Sequence, residues 1–335
     1  MKVNLTEESC PIRIRPLLWG SMASLLLGTF LVTSCALPKR QARSWNQMNT
    51  QIELAREEVQ VRLVKIPSGV KDAPYAGIRA QTRDGAILLL VDTGTSVTLL
   101  RESVRDKLKV SKLSRARLES EDSDSERRLY TTSSISVGPL EFTNEAVTFL
   151  PDDQVDGLSR NAGRRVDGIL GATLLRRGEI EFRGPENELV IRPFDRSKIK
   201  VDNSSLPLIF IPDSNTYAIP LRTETGMGSR LLLDTGTNVE LVLDEHRPLA
   251  RKVMESTQTG TWNYDSVHGS HEVRVFELPF GILGPGISFP KGRKVCVDSR
   301  RDGPLDGVIG IPVFWRTSRI LLNSKMEMAS FVGAN

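Results

Sequence analysis

A chain of 335 residues is long enough for two compact domains. With 26% charged and 6% aromatic residues, its composition excludes wholesale disorder and a coiled coil. The net charge of +4 is small, both signs are mixed along the chain, and no Lys/Arg stripe is interleaved with aromatics, so nucleic-acid binding has no support.

Residues 1–34 read as a signal peptide. Lys2, Arg13 and Arg15 give a basic start, and residues 17–32 form a mostly apolar run too short and too rich in Gly and Ser for a membrane span. The run leads into Val32-Thr33-Ser34-Cys35. Small residues before a Cys resemble the bacterial lipoprotein cleavage box. The resemblance implies cleavage before Cys35 and lipid attachment to its thiol, which would hold the protein on a membrane. The expected location is the bacterial cell envelope, facing the periplasm. Ala36 is not an Asp retention signal, which favours the outer membrane over the inner. The other reading is an ordinary leader or a membrane helix with a chance Cys. Once Cys10 leaves with the leader and Cys35 is acylated, Cys296 remains, and no internal disulfide is expected. Flanked by Val295 and Val297, Cys296 reads as a buried strand residue.

Residues 35–59 read as a polar tether, with helical character over 51–61. The first lobe is expected at 60–196, a linker at 197–205 and the second lobe at 206–335. Within the lobes, apolar runs are short and bounded by Gly, Pro, Asn or Asp, the punctuation of strands and turns. Residues 86–91, 135–137, 146–150 and 208–211 are examples. One helix per lobe is expected, at 102–108 and 245–253. The fold class is mainly all-β, in two similar lobes.

The similarity is explicit in the sequence. Leu88-Leu89-Leu90-Val91 runs into Asp92-Thr93-Gly94-Thr95, and Leu231-Leu232-Leu233 into Asp234-Thr235-Gly236-Thr237, 142 residues later. Tyr75-Ala76 and Tyr217-Ala218 precede the two motifs at equal spacing. Asp167-Gly168-Ile169-Leu170-Gly171 and Asp306-Gly307-Val308-Ile309-Gly310 follow them, and each copy ends in strand-like tails, 179–182 with 189–191 and 320–322 with 330–332. Four landmarks recurring in order mark an internal repeat.

Two carboxylates delivered by the ends of apolar strands suit amide hydrolysis. Held about 3 Å apart they cannot both ionise comfortably, so the pair keeps one proton. The ionised member acts as base on water, and the protonated one polarises the carbonyl. Gly94 and Gly236 permit tight turns and let main-chain N–H groups approach the carboxylates. The 169–171 and 308–310 segments are expected to pack behind the aspartate strands.

These motifs resemble the pepsin and retropepsin superfamily of aspartic proteases over about 60–335. The resemblance implies a bilobal acid-protease fold built as two fused retropepsin-like lobes. It implies Asp92 and Asp234 as the catalytic pair, Thr93 and Thr235 as the residues locking the loops together, and an extended polypeptide substrate between the lobes. Thr95 and Thr237 place a hydroxyl three residues after each Asp, which motivates an activity optimum on the acid side of neutral. With the second lobe fused, a monomer is expected to suffice. The flap of this family should fall at 113–134, where Tyr130 stands alone and 119–126 is strongly acidic, either a solvated loop or a preference for basic substrates. In the second lobe Trp262, Tyr264, His268 and His271 either line a subsite or cover a loop. Asp167 and Asp306 read as turn residues.

Other chemistries fare poorly. The chain has no Gly-x-Ser-x-Gly elbow and no P-loop. His268-Gly269-Ser270-His271 lacks a further ligand cluster, so no metal or cofactor is expected. The competing class is a non-catalytic envelope lipoprotein that binds peptide in the same cleft. Such a binder has no chemical need for both aspartates.

Overall fold

The computed structural model describes residues 2–5, 51–53, 58–68, 70, 73–119, 124–200, 204–212, 214–266, 269–299 and 304–333. Cys35, the remainder of the leader, most of the tether, the acidic stretch 120–123 and His268 lie outside the described residues.

Each copy of the repeat builds one sheet, and the two sheets share a strand order. In the first, the hairpin Val110–Glu119 and Asp124–Thr132 is followed by Glu145–Leu150, Thr98–Arg101, Gly168–Leu170, Gly85–Val91, Tyr75–Thr82, Ile135–Val137 and Leu140–Thr143. In the second, the hairpin Gln258–Ser266 and Gly269–Glu277 is followed by Lys294–Asp298, Leu241–Asp244, Gly307–Gly310, Gly228–Asp234, Thr216–Thr223, Ile282–Gly284 and Ile287–Phe289. The apolar runs expected as strands are strands; residues 87–91 and 146–150 are buried on both faces, which explains their largely apolar character, whereas Phe210 in Ile209–Ile211 is exposed. The fold is mainly β and bilobal.

A third sheet joins the lobes. Its order is Ser205–Pro207, Met328–Val332, Arg319–Asn323, Glu179–Arg183, Glu188–Arg192 and Val59–Arg62, antiparallel throughout. At its centre Glu181 of the first lobe pairs with Leu321 of the second. The strand-like tails of the two copies thus lie in one sheet.

Several local expectations need correction. The segment 51–61 is not helical in its described parts. Gln51–Glu53 pairs with Leu140–Thr143, and Val59–Arg62 pairs with Glu188–Arg192. Val59 and Val61 are buried and Gln60 and Arg62 exposed, a period of two that no helix provides. The expected helix at 102–108 is a 3-10 turn, Glu102–Lys107. That at 245–253 is shorter, Pro248–Met254, because Pro248 is preorganised for the first helical position. An unexpected helix, Asp152–Ala162, carries two Asp in its first turn and ends at Gly163 in the left-handed conformation. Arg101, buried beneath it, donates to the Asp152 and Val166 carbonyls, to Asp156 Oδ1 and to Ser159 Oγ. The helix also packs against Gln258–Ser266 of the second lobe.

The shared sheet encloses a charged cluster. Arg192 is 1% exposed, with Glu179 and Glu181 equally enclosed, and it bonds both carboxylates as well as Glu58. Glu179 also accepts from the Lys198 N–H, Ser197 Oγ and Asn323 Nδ2 of the other lobe. The hydrogen bond from Arg192 holds the Glu58 carboxyl far below its ordinary range, at about 2.

Two outcomes are expected. Removing one partner from a buried ion cluster strands the others, so Arg192→Ala should cost about 3–5 kcal/mol in urea unfolding. A depressed carboxyl stabilises the fold above its ordinary value of 4.5 and loses that contribution as pH falls to about 2. The stability gap between wild type and Glu58→Gln should therefore close over that window, as read from thermal melts. A gap that stays constant contradicts the assignment.

Candidate active site

Both aspartates stand at strand ends where the sheet topology crosses. Gly85–Val91 pairs in parallel with Gly168–Leu170, which pairs antiparallel with Thr98–Arg101 on its other side. The second lobe repeats this, with Asp234 opposite Gly310. The 168–171 and 307–310 segments therefore lie beside the aspartate strands in the same sheet, not behind them. Gly171 and Gly310 are required by closeness, since a Cβ at either would collide with carbonyls of the loops they support, those of Val97 and Val239 respectively. Ala172 N–H donates to the Thr95 carbonyl at 2.7 Å, and Ile311 N–H to that of Thr237 at 2.8 Å.

Asp167 and Asp306 act as latches. Asp167 Oδ2 accepts from Leu88 N–H at 3.0 Å, while its own N–H donates to the Leu88 carbonyl at 2.7 Å. Asp306 does the same to Arg230, at 2.8 and 2.9 Å. Each ties the start of the supporting strand to the aspartate strand, as suits a turn residue.

The two loops meet in a reciprocal grip. Thr93 Oγ1 donates to the Leu233 carbonyl at 2.7 Å and accepts from Thr235 N–H at 3.1 Å. Thr235 Oγ1 donates to the Val91 carbonyl at 2.7 Å and accepts from Thr93 N–H at 3.1 Å. Within each loop the carboxylate is fixed at both oxygens. Asp92 Oδ1 accepts from Gly94 N–H at 2.8 Å, and Oδ2 from Thr95 Oγ1 at 2.5 Å. Asp234 Oδ1 accepts from Gly236 N–H at 2.8 Å, and Oδ2 from Thr237 Oγ1 at 2.9 Å.

The glycines show how close the halves come. A Cβ on Gly94 would sit 2.5 Å from Asp234 Cγ, and a Cβ on Gly236 would sit 2.5 Å from Asp92 Cγ. Each carboxylate rests against the glycine of the opposite loop, so the two face one another across the lobe boundary. Beneath them a small apolar space is lined by Thr93, Thr235, Ile180, Phe182, Phe314 and Leu322, so the grip sits directly over the shared sheet. All eight residues picked out in the two Asp-Thr-Gly-Thr motifs converge here.

Other picked residues do not. Tyr130 is buried, bonded to Arg105 and stacked edge-on against Phe149 at 5.4 Å, so it packs the hairpin base. Trp262 is exposed on its hairpin. Cys296 is buried in its strand, where burial first and the Asp298 carboxylate second push its thiol up to about 12. The sequence reading missed two polar clusters behind the loops. Glu145 Oε1 accepts from Thr98 Oγ1 and Thr173 Oγ1, both at 2.7 Å. Glu240 in the second lobe pairs with Arg316 and Arg293. It also missed Trp315, whose Nε1 donates to the Pro74 carbonyl across the lobes. A carboxylate in an otherwise apolar strand, as at Glu145, was the available signal.

The comparisons with known proteins fit this geometry. Residues 78–174 match a family model described as aspartyl protease. The structure resembles an aspartic proteinase from Irpex lacteus at 15% identity and a TM-score of 0.52, covering 83% of this chain and 98% of that one. Residues 78–174 thus resemble the aspartyl protease family, and the fold is pepsin-like. A second solved structure, basic 7S globulin from soybean, aligns at 11% identity and a TM-score of 0.46, covering 84% of this chain and 96% of that one. Comparison with curated protein sequences returned no match.

The site is sterically tight, and two variants test this. Gly94→Ala drives a methyl into Asp234, and should cost about 1–3 kcal/mol of overpacking in urea unfolding. Thr235→Val removes a donor and an acceptor from the grip and should destabilise by a similar amount, about 1–3 kcal/mol, whereas Thr235→Ser keeps the hydroxyl and should remain near wild type. A loss in the serine variant with none in the valine variant would show that the methyl, not the hydroxyl, matters there.

Proposed function

We propose that the protein is an aspartic endopeptidase that hydrolyses an extended polypeptide between its lobes. The observation that carries this reading is the mutual seating of each carboxylate on the other loop's glycine, with both oxygens of each already hydrogen-bonded. Asp92 and Asp234 are the catalytic pair. Thr93, Gly94, Thr95, Thr235, Gly236 and Thr237 hold it.

The chemistry follows from the pair. Two facing carboxylates share one proton. The ionised member takes a proton from water as its oxygen attacks the scissile carbonyl carbon. The protonated member gives its proton to the carbonyl oxygen, which forms a neutral tetrahedral diol. Collapse of the diol gives a hydroxyl proton to the ionised member, re-forms the carbonyl and breaks the C–N bond, while the proton taken from water goes to the departing nitrogen, so the pair again holds one proton. The dense hydrogen bonding of the loops supplies preorganisation, because the carboxylates need no reorientation as charge moves. A carboxylate pair of this kind needs no metal or cofactor. The proposed setting is a bacterial envelope, facing the periplasm, with the chain anchored through lipid on Cys35.

Cleavage of a mixed peptide library by the full-length protein tests the reading. Asp92→Asn and Asp234→Asn should each lose cleavage by at least about a thousandfold, since neither carboxylate works alone, and both should melt within a few degrees of wild type. Cleavage that persists in either variant rejects the dyad. Activity should peak below neutral pH, and a maximum near pH 8, where the shared proton is gone, would contradict the mechanism.

A further inference from the structure

Beyond the threonine grip, each aspartate loop has a second hold on the opposite lobe. Asn215 lies in the turn before Thr216–Thr223 of the second lobe. Its Nδ2 crosses to the first lobe and donates to the Ser96 carbonyl at 3.1 Å, four residues after Asp92. The related contact runs in the other direction. Asn238, four residues after Asp234, donates from Nδ2 to the Ser68 carbonyl at 3.4 Å. Ser68 belongs to the corresponding turn of the first lobe, where its hydroxyl donates to the Ala73 carbonyl. The turn before the first long strand of each lobe therefore braces the exit of the other lobe's aspartate loop.

Asn215 is the more specialised of the two asparagines. It is 1% exposed, and its φ of 54° is in the left-handed region, which Asn tolerates better than other side-chain-bearing residues. Its Oδ1 is buried and has no hydrogen-bond partner among the described residues. An unsatisfied buried acceptor lowers stability, so holding the fold together does not account for this amide. What the amide does provide is one donor aimed at one carbonyl. That carbonyl matters because of its neighbour. Thr95 Oγ1 donates to Asp92 Oδ2, and the Thr95 carbonyl is held by Ala172 N–H from within the lobe. Fixing Ser96 from the other lobe clamps the loop on the far side of Thr95. The direction of that hydroxyl, and of the carboxylate it holds, is then set by both lobes together.

We propose that Asn215 is a positioning residue that orients Asp92 toward Asp234 from the second lobe, with Asn238 bracing the opposite loop in the reverse sense. The proposal rests on the reading of Asp92 and Asp234 as a catalytic pair, and its test separates the two. In the full-length protein, Asn215→Gly keeps the positive φ and removes the amide, whereas Asn215→Asp keeps the shape and removes the donor. Hydrogen exchange over 93–98 should rise on the order of tenfold in both, with exchange over 168–171 unchanged. For a peptide that wild type cleaves, kcat should fall on the order of tenfold with KM within about twofold, as expected when only the reacting geometry is disturbed. A space-filling role predicts that Asn215→Asp behaves as wild type, and that result overturns the proposal. So does unchanged exchange in Asn215→Gly, or a loss confined to KM. If wild type cleaves no peptide, the catalytic reading fails, and exchange over 93–98 alone decides whether the brace exists.

Discussion

Thr93 and Thr235 each use one hydroxyl twice, as donor to a carbonyl of the opposite strand and as acceptor from the opposite amide. No apolar side chain does either, and a carboxylate offers only acceptors. Four hydrogen bonds made by two small side chains fix the separation of the loops, and that separation is what lets each carboxylate settle on a foreign glycine. The apolar strands, the Asp167 and Asp306 latches and the floor of the shared sheet all act on this one spacing. A shift of a few tenths of an ångström between lobes would stretch all four bonds together, so the arrangement resists sliding and leaves the pair preformed.

How much of this was legible depended on whether the information was local. The Asp-Thr-Gly-Thr motifs, the leucine runs and the Asp-Gly-apolar-apolar-Gly segments carry their local structure in a few adjacent residues and were read as turns and strands, although the last lie beside the aspartate strands and not behind them. The shared sheet was not, because the tails at 179–182 and 320–322 show strand character without naming a partner. Pairing partners are set by the whole topology. Val59-Gln60-Val61-Arg62 alternated plainly enough, but the polar stretch before it made 51–61 read as helical. Helix Asp152–Ala162 had its acidic first turn and its Gly stop, yet Gly157 and only three apolar positions, Val155, Leu158 and Ala162, left no convincing stripe. Asn215 was invisible for a different reason: its role lies in an amide donor that crosses to the other lobe and in a backbone angle, neither of which has a sequence signature.

The two lobes also diverged behind a common frame. Arg177 and Arg316 each follow their supporting glycine, Gly171 or Gly310, by the same number of residues. Burial lowers the guanidinium of Arg177 to about 10 while the Glu145 carboxylate opposes that shift. Arg316 instead meets Glu240, in the bend just before Leu241–Asp244 and 142 residues after Thr98. One arginine position has thus kept its charge while the nearby carboxylate comes from a different segment. Half-buried pairs such as Arg316–Glu240 add little net stability, because desolvation offsets most of the attraction. Their geometric demands are strict, and in this site they stand directly behind the loops that must not move.

The sheet that joins the lobes sets a timetable for the nascent chain. Glu179–Arg183 has Glu188–Arg192 beside it almost at once, but its other neighbour, Arg319–Asn323, lies 140 residues further along the chain, counted from Glu181 to Leu321. Until that segment emerges the first half carries an open, hydrogen-bond-hungry edge, the kind of surface that recruits wrong partners. Contacts closed over such sequence separations form slowly. The sheet over which Asp92 and Asp234 face one another therefore stays incomplete until Arg319–Asn323 has emerged. A nascent or truncated chain is accordingly held without a completed dyad for as long as its second half is missing.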